Sequence, residues 1–300
     1  MGSALRPRGA RWSERAGDLS RQLYRRTRVA VRRVYPGPTA WDGVRLLGYH
    51  RVSDAADPLA VSPTGFREHL AAVLASGATP LRLTDAVELL RAPVTGRYFC
   101  VTLDDGYLDT YEVAAPILRS LRVPATVFLP TAIIDGDETY GWYVGPAPPS
   151  MTWGQVAELD AEGLIAFESH GRTHTLLPTL ADEAAREEIV GSRRVLQERL
   201  GRAVTCFCYP AGRYTERDLL VVGAAGYAAA VTTTPGYNRG GTSLLTLHRT
   251  MVGPTEDRHH LTALFDGLLD APHRMARAAR RVGVQPRQAP RPERDEDKLS

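Results

Sequence analysis

Asp104 and Asp105 stand side by side directly after the apolar run Tyr98-Phe99-Cys100-Val101, which reads as a buried strand. Two adjacent carboxylates at a strand end repel each other unless a cation or a shared proton lies between them, so the pair calls for a partner. Gly106 lets the chain turn sharply after them. The plain alternative is helix capping, with the Asp side chains accepting from the first amides of a helix starting near Leu108. His170-Gly171-Arg172-Thr173-His174 follows the apolar strand Leu164-Ile165-Ala166-Phe167 in the same way. Two histidines four apart after a strand read as a ligand pair, against the plain reading of core or cap histidines. With one carboxylate they form a set with open positions that suits zinc or another borderline divalent ion that activates water. Two further strand ends carry polar or turn-forming residues: His50 after Leu46-Leu47-Gly48-Tyr49, and Pro210-Ala211-Gly212 after Phe207-Cys208-Tyr209. Taken singly, each also reads as an ordinary loop.

The elements that must hold these residues follow a β/α rhythm. Strands are expected at Val44 to Gly48, Thr79 to Leu83, Tyr98 to Leu103, Ala125 to Leu129, Leu164 to Glu168, Val204 to Tyr209 and Tyr227 to Thr232. Helical periods fall at Thr64 to Ser76, a segment capped by Thr84-Asp85 and ending at Leu90, Leu108 to Ser120, Thr152 to Glu162, Ala181 to Leu200 and Glu216 to Ala225. A last ordered stretch is expected at Thr246 to Val252, followed by a helix through Leu261 to Leu269. The seven strands fit a barrel of parallel strands better than an open sheet, and all four polar strand ends would then converge on one mouth. Pro130 to Ser150, polar, aromatic and glycine-rich, is expected to be a long loop at that mouth, where substrates are gripped.

A chain of 300 residues with 43% hydrophobic content buries a full core. The expected division is a basic arm over 1–40, one barrel domain over 41–271 and a basic tail over 272–300. Residues 1–35 carry ten Arg against Glu14 and Asp18, and residues 272–300 carry eight basic against four acidic groups, so the middle is net acidic. An acidic middle argues against a nucleic-acid partner. The arm reads either as solvated chain or as a basic amphipathic helix in peripheral contact with an anionic membrane. Cys100, Cys206 and Cys208 show neither disulfide nor metal spacing and read as core thiols in a reducing compartment. With no secretory h-region and no apolar run long enough to span a membrane, a cytoplasmic location is expected.

The motifs Tyr49-His50-Arg51-Val52, Thr102-Leu103-Asp104-Asp105-Gly106, Ser169-His170-Gly171-Arg172-Thr173-His174 and Tyr209-Pro210-Ala211-Gly212 resemble, in order and spacing, those of the polysaccharide deacetylase (NodB-homology) family, in its subgroup with Tyr-His at the first strand. The resemblance implies a distorted (β/α)7 barrel and metal-dependent removal of acetyl groups from N-acetylated sugars, with zinc, cobalt or nickel as the cation. It implies Asp105, His170 and His174 as metal ligands, Asp104 as general base and His50 as the acid that protonates the leaving nitrogen. Tyr209, Pro210, Ala211 and Gly212 would then line the substrate and oxyanion site. The chain departs from the family in two places. Cys208-Tyr209 and Ala211 replace the usual surroundings of the third motif's Pro, so the arginine that elsewhere tunes the base is missing there. The final-motif histidine has only His248 as a neighbour in sequence. A deacylase of a small non-sugar amide and a catalytically inactive carbohydrate-binding module are the competing readings.

Overall fold

The computed structural model describes residues 41–269. The expectations for the basic arm and for the C-terminal tail, membrane contact included, lie outside the described residues. No helix among the described residues is long and apolar enough to cross a membrane.

Seven parallel strands form the ring: β1 (Gly43–Tyr49), β2 (Arg97–Asp104), β3 (Ala125–Leu129), β4 (Ile165–Ser169), β5 (Cys206–Cys208), β6 (Ala229–Val231) and β7 (Arg249–Met251). Their hydrogen-bonded order is β7-β1-β2-β3-β4-β5-β6. The two ends meet where Leu247 N–H donates to the Ala230 carbonyl at 2.9 Å and Thr232 N–H to the Leu247 carbonyl at 3.0 Å. The barrel is therefore nearly closed, and it is distorted where β4 and β5 share a single residue pair, Ser169 with Phe207. The expected strand Thr79 to Leu83 is corrected: only Thr79 and Pro80 pair, against β2, outside the ring path. β7 takes the seventh place instead, pairing with β1 from Leu46–Arg249 to Gly48–Met251.

Alternation along the strands sorts two apolar layers. Val44, Leu46, Cys100, Phe128, Cys206, Cys208, Ala229 and Val231 pack together inside the ring, and Leu83, Ala86 and Val87 of a short helix (Leu83–Leu89) join them. Leu47, Phe99, Val101, Val127, Phe167 and Phe207 face outward against flanking helices. All three cysteines are free, buried thiols, as their spacing suggested.

The flanking helices are α1 (Pro63–Ala75), α2 (Leu83–Leu89), α3 (Ala115–Leu121), α4 (Trp153–Glu162), α5 (Ser192–Leu200), α6 (Glu216–Ala224) and α7 (Arg258–Phe265). Local sequence starts several of them. Ser62 accepts from Gly65 N–H at the head of α1, while Thr152 with Gln155 and Thr215 with Asp218 form reciprocal capping boxes at α4 and α6. The expected Thr84-Asp85 cap is not made, since α2 already begins at Leu83 and its cap residue, Arg82, makes no side-chain cap bond. Asp104 and Asp105 do not cap a helix either; both are buried at the carboxyl end of β2.

Candidate active site

Asp104 is the last residue of β2, with Thr102 and Asp104 on the inward-facing alternation. Asp105 then adopts a left-handed φ of 72° and Gly106 one of 69°. For Asp105 this conformation costs about 1–3 kcal/mol and brings a second carboxylate to the same mouth. A Cβ on Gly106 would lie 2.5 Å from Leu129 Cδ2, so only glycine fits the turn. His170 lies immediately beyond β4, and its Nδ1 lies 2.8 Å from the Cys208 carbonyl. A carbonyl only accepts, so Nδ1 carries the proton and Nε2 presents its lone pair to the cavity.

Asp105 Oδ1 lies 3.6 Å from His170 Nε2 and 3.6 Å from His174 Nε2. It makes no hydrogen bond within the described residues although it is buried. Burial, reinforced by the charge of Asp104, pushes the Asp105 carboxyl well above the usual carboxylate range. Burial likewise lowers His170 to about 4 and His174 to about 3, so both imidazoles are neutral at pH 7. Two ligands about 2.1 Å from one ion at a tetrahedral angle stand about 3.4 Å apart, close to the spacing found here. A buried orphan carboxylate oxygen facing two neutral imidazole nitrogens is a donor set that fits a divalent cation.

Asp104, His170 and Cys208 also cluster. That group is less suited to a cation, because burial pushes the Cys208 thiol up and the Arg249 guanidinium lies 3.1 Å from its sulfur.

The Asp104 carboxylate is held by an arginine from another strand, Arg249. Fully buried on β7, it grips Asp104 with two parallel hydrogen bonds, Nη1 to Oδ1 at 2.6 Å and Nη2 to Oδ2 at 2.8 Å. Burial would raise the Asp104 carboxyl, but the Arg249 charge and hydrogen bonds outweigh it and hold the group below the usual range. Arg249 thus holds the Asp104 carboxyl down while burial and the Asp104 charge push its neighbour up. Sequence reading missed this residue; its one signal was a charge one position after His248 in a mixed run expected to be ordered.

His50, Asp104, Asp105, His170, His174 and Trp142 line one cavity of about 430 Å³. Of the third motif, only Ala211 reaches it, with a left-handed φ of 52°. Tyr209 is buried, stacks on Tyr214 and donates its hydroxyl to the Leu245 carbonyl, which is a packing role. His248 does not line the cavity. It precedes the first residue of β7 and exchanges backbone hydrogen bonds with the Asn238 side chain, at the opposite end of the strand from the mouth. His50 is half-buried rather than solvated. Burial lowers its pKa, with Asp104 opposing the shift.

The expected loop 130–150 contains a short helix, Thr131–Asp135, and an aromatic cluster. Tyr140 donates its hydroxyl to the Asp105 carbonyl, and Trp142 Nε1 donates to the Tyr107 hydroxyl. Tyr143 donates to Asp57, which also pairs with Arg51, next to His50. The Trp142 ring, 38% exposed, lies 4.5 Å from that of His174.

A near-closed parallel barrel with acids and histidines at its carboxyl-end mouth holds them where barrel enzymes carry their active sites. Residues 91–230 match the family model described as polysaccharide deacetylase, the family whose motifs the sequence resembles. It is 29% identical over 211 residues, 70% of this chain and 71% of the relative, to a Bacillus subtilis (strain 168) protein named "Putative polysaccharide deacetylase YxkH". Among solved structures, the Streptococcus pyogenes deacetylase PplD in complex with acetate superposes with a TM-score of 0.64 at 24% identity, over 73% of this chain and 96% of that one. IcaB from Ammonifex degensii superposes with a TM-score of 0.65 at 24% identity, over 75% of this chain and 98% of that one. The protein is thereby placed among deacetylase-type hydrolases of carbon–nitrogen amide bonds.

Proposed function

We propose that the protein removes acetyl groups from N-acetylated sugars, in a polysaccharide, oligosaccharide or glycoconjugate, using one divalent cation, zinc in the first place. The observation that carries this reading is the convergence of Asp104, Asp105, His170, His174 and His50 on a single cavity. Asp105, His170 and His174 would hold the cation, which when bound acidifies water and polarises a carbonyl. Asp104, held ionised by Arg249, accepts the proton of the attacking water. The backbone turned outward at Ala211 faces the oxygen that gains negative charge as the acetyl carbon becomes tetrahedral. His50 gives its proton to the sugar nitrogen as the carbon–nitrogen bond breaks, leaving acetate and a free amine. Trp142, held in orientation by three tyrosines yet 38% exposed where it lines the cavity, suits a sugar ring better than a small flexible amide.

Acetate release from a panel of N-acetylated sugars and small N-acetylated amides, with and without chelator, tests this. Turnover is expected on the sugars, abolished by chelator and restored by zinc. Turnover of the small amides alone would transfer the protein to the competing deacylase reading.

A second expectation separates the two histidines. His50→Ala should reduce turnover of an amide substrate about 10²-fold, the lower end of acid–base assistance. It should affect an activated acetate ester much less, because that leaving group departs without a proton. His248→Ala should alter thermal stability more than rate. An amide-selective defect in His248→Ala, and none in His50→Ala, would move the acid to the C-terminal motif.

A further inference from the structure

Glu188 does not line the cavity, yet it holds the backbone that carries both histidines of the candidate metal set. It is 7% exposed and lies in a π-helical segment, Glu187–Gly191, that interrupts the helix leading into α5. Such wide turns insert an extra residue and redirect side chains, and they recur at functional sites. Here Ile189 enters the core while Glu188 turns toward the 170–174 loop. Its Oε2 accepts from the N–H groups of Arg172 at 2.8 Å and Thr173 at 3.0 Å. Its Oε1 accepts from the Thr173 hydroxyl at 2.8 Å, and that hydroxyl also meets the Thr175 hydroxyl.

The rest of the loop is tied from the other side. Thr131 and Ala132, at the start of the short helix Thr131–Asp135, donate their N–H groups to the carbonyls of Gly171 and Arg172. Gly171 has a left-handed φ of 81°, and a Cβ there would lie 2.9 Å from Glu188 Oε2, so the carboxylate and the glycine fit one another. His174 itself has a left-handed φ of 63°. A non-glycine residue keeps that conformation only where its surroundings over-determine it.

We propose that Glu188 is a positioning residue for the metal centre: its carboxylate locks the 170–174 loop in the conformation that converges His170 and His174 on Asp105 Oδ1. The proposal rests on the metal reading of that triad. A glutamine at 188 can still accept from both amides and donate to the Thr173 hydroxyl, whereas an alanine leaves both amides unpaired.

Zinc affinity of the full chain, measured by competition with a chromophoric chelator and with folding checked by circular dichroism, tests it. Glu188→Ala is expected to weaken zinc by about 10- to 100-fold, the range for removing a group that supports a metal ligand. Glu188→Gln should recover most of that loss, Thr173→Val should show an intermediate one, and Glu187→Ala, which breaks only the exposed pairs with Arg172 and Arg194, should match wild type. Wild-type affinity in Glu188→Ala, or a Glu188→Gln as weak as Glu188→Ala, overturns the proposal. If Glu188→Ala does not fold, unchanged affinity in Thr173→Val overturns it. A wild-type chain that takes up no zinc defeats the metal reading itself, and this proposal with it.

Discussion

Asp104→Asn is expected to retain zinc and to lose about 10²- to 10⁴-fold in turnover, the typical worth of a positioned general base. Asp105→Asn is expected to lose the cation itself, by more than the 10- to 100-fold that follows removal of a group merely supporting a ligand. The two carboxylates are neighbours in the chain and equally buried, so their different fates come from their partners. Both Asp104 oxygens already accept from Arg249, which fixes the plane of the carboxylate and its charge. Asp105 Oδ1 has no hydrogen bond within the described residues and faces two neutral imidazoles, an arrangement that a divalent cation would complete. Zinc content and acetate release measured on the same preparations decide the matter. Equal zinc loss in both variants would mean that the roles are wrongly divided.

What the sequence disclosed of this site and what it concealed divide along the range of the interactions. Asp104, Asp105, His170 and His174 were legible because each follows an apolar run, and parallel strands in a barrel bring such ends to one mouth. His50 was legible for the same reason. Arg249 was not, because its value lies in a contact with a residue 145 positions away. That contact exists only once β7 pairs with β1, and a three-residue strand inside a mixed run carries little periodic signal. Thr79 to Leu83 erred the other way: it has strand composition, yet Pro80 lacks an N–H to donate, so the segment stays a two-residue attachment. Glu188 sat in a polar helix where the 3.6 period gives no hint of a π turn. Of the third motif, the Pro-Ala-Gly turn was foreseen, but Tyr209 was assigned to the substrate although its aromatic body packs into the core.

The second large effect concerns that arginine. Arg249→Met should destabilise the metal-free protein by about 3–5 kcal/mol near neutral pH, since it leaves the Asp104 charge buried without its partner. The pH dependence follows from the sign of the shift. In the wild type, Arg249 holds Asp104 below its ordinary value, so the pair's contribution is complete above the unfolded pKa of about 3.9 and lost as pH falls through the depressed folded value. In the variant, burial acts unopposed and raises the carboxyl, so folding favours the protonated form and stability declines as pH rises. The gap between the two proteins should therefore be widest near neutrality and narrow below about pH 4, where the unfolded carboxyl is protonated as well. Arg249→Lys should fall between, keeping the charge but not the twin hydrogen bonds. Adding Asp104→Asn to Arg249→Met should restore part of the lost stability, because it removes the charge that was stranded. Thermal unfolding of the wild type, Asp104→Asn, Arg249→Met, Arg249→Lys and the double variant between pH 3 and pH 7 reads all of this. A pH-independent gap, or a double variant whose losses simply add, would show that Arg249 stabilises the barrel by packing and not through Asp104.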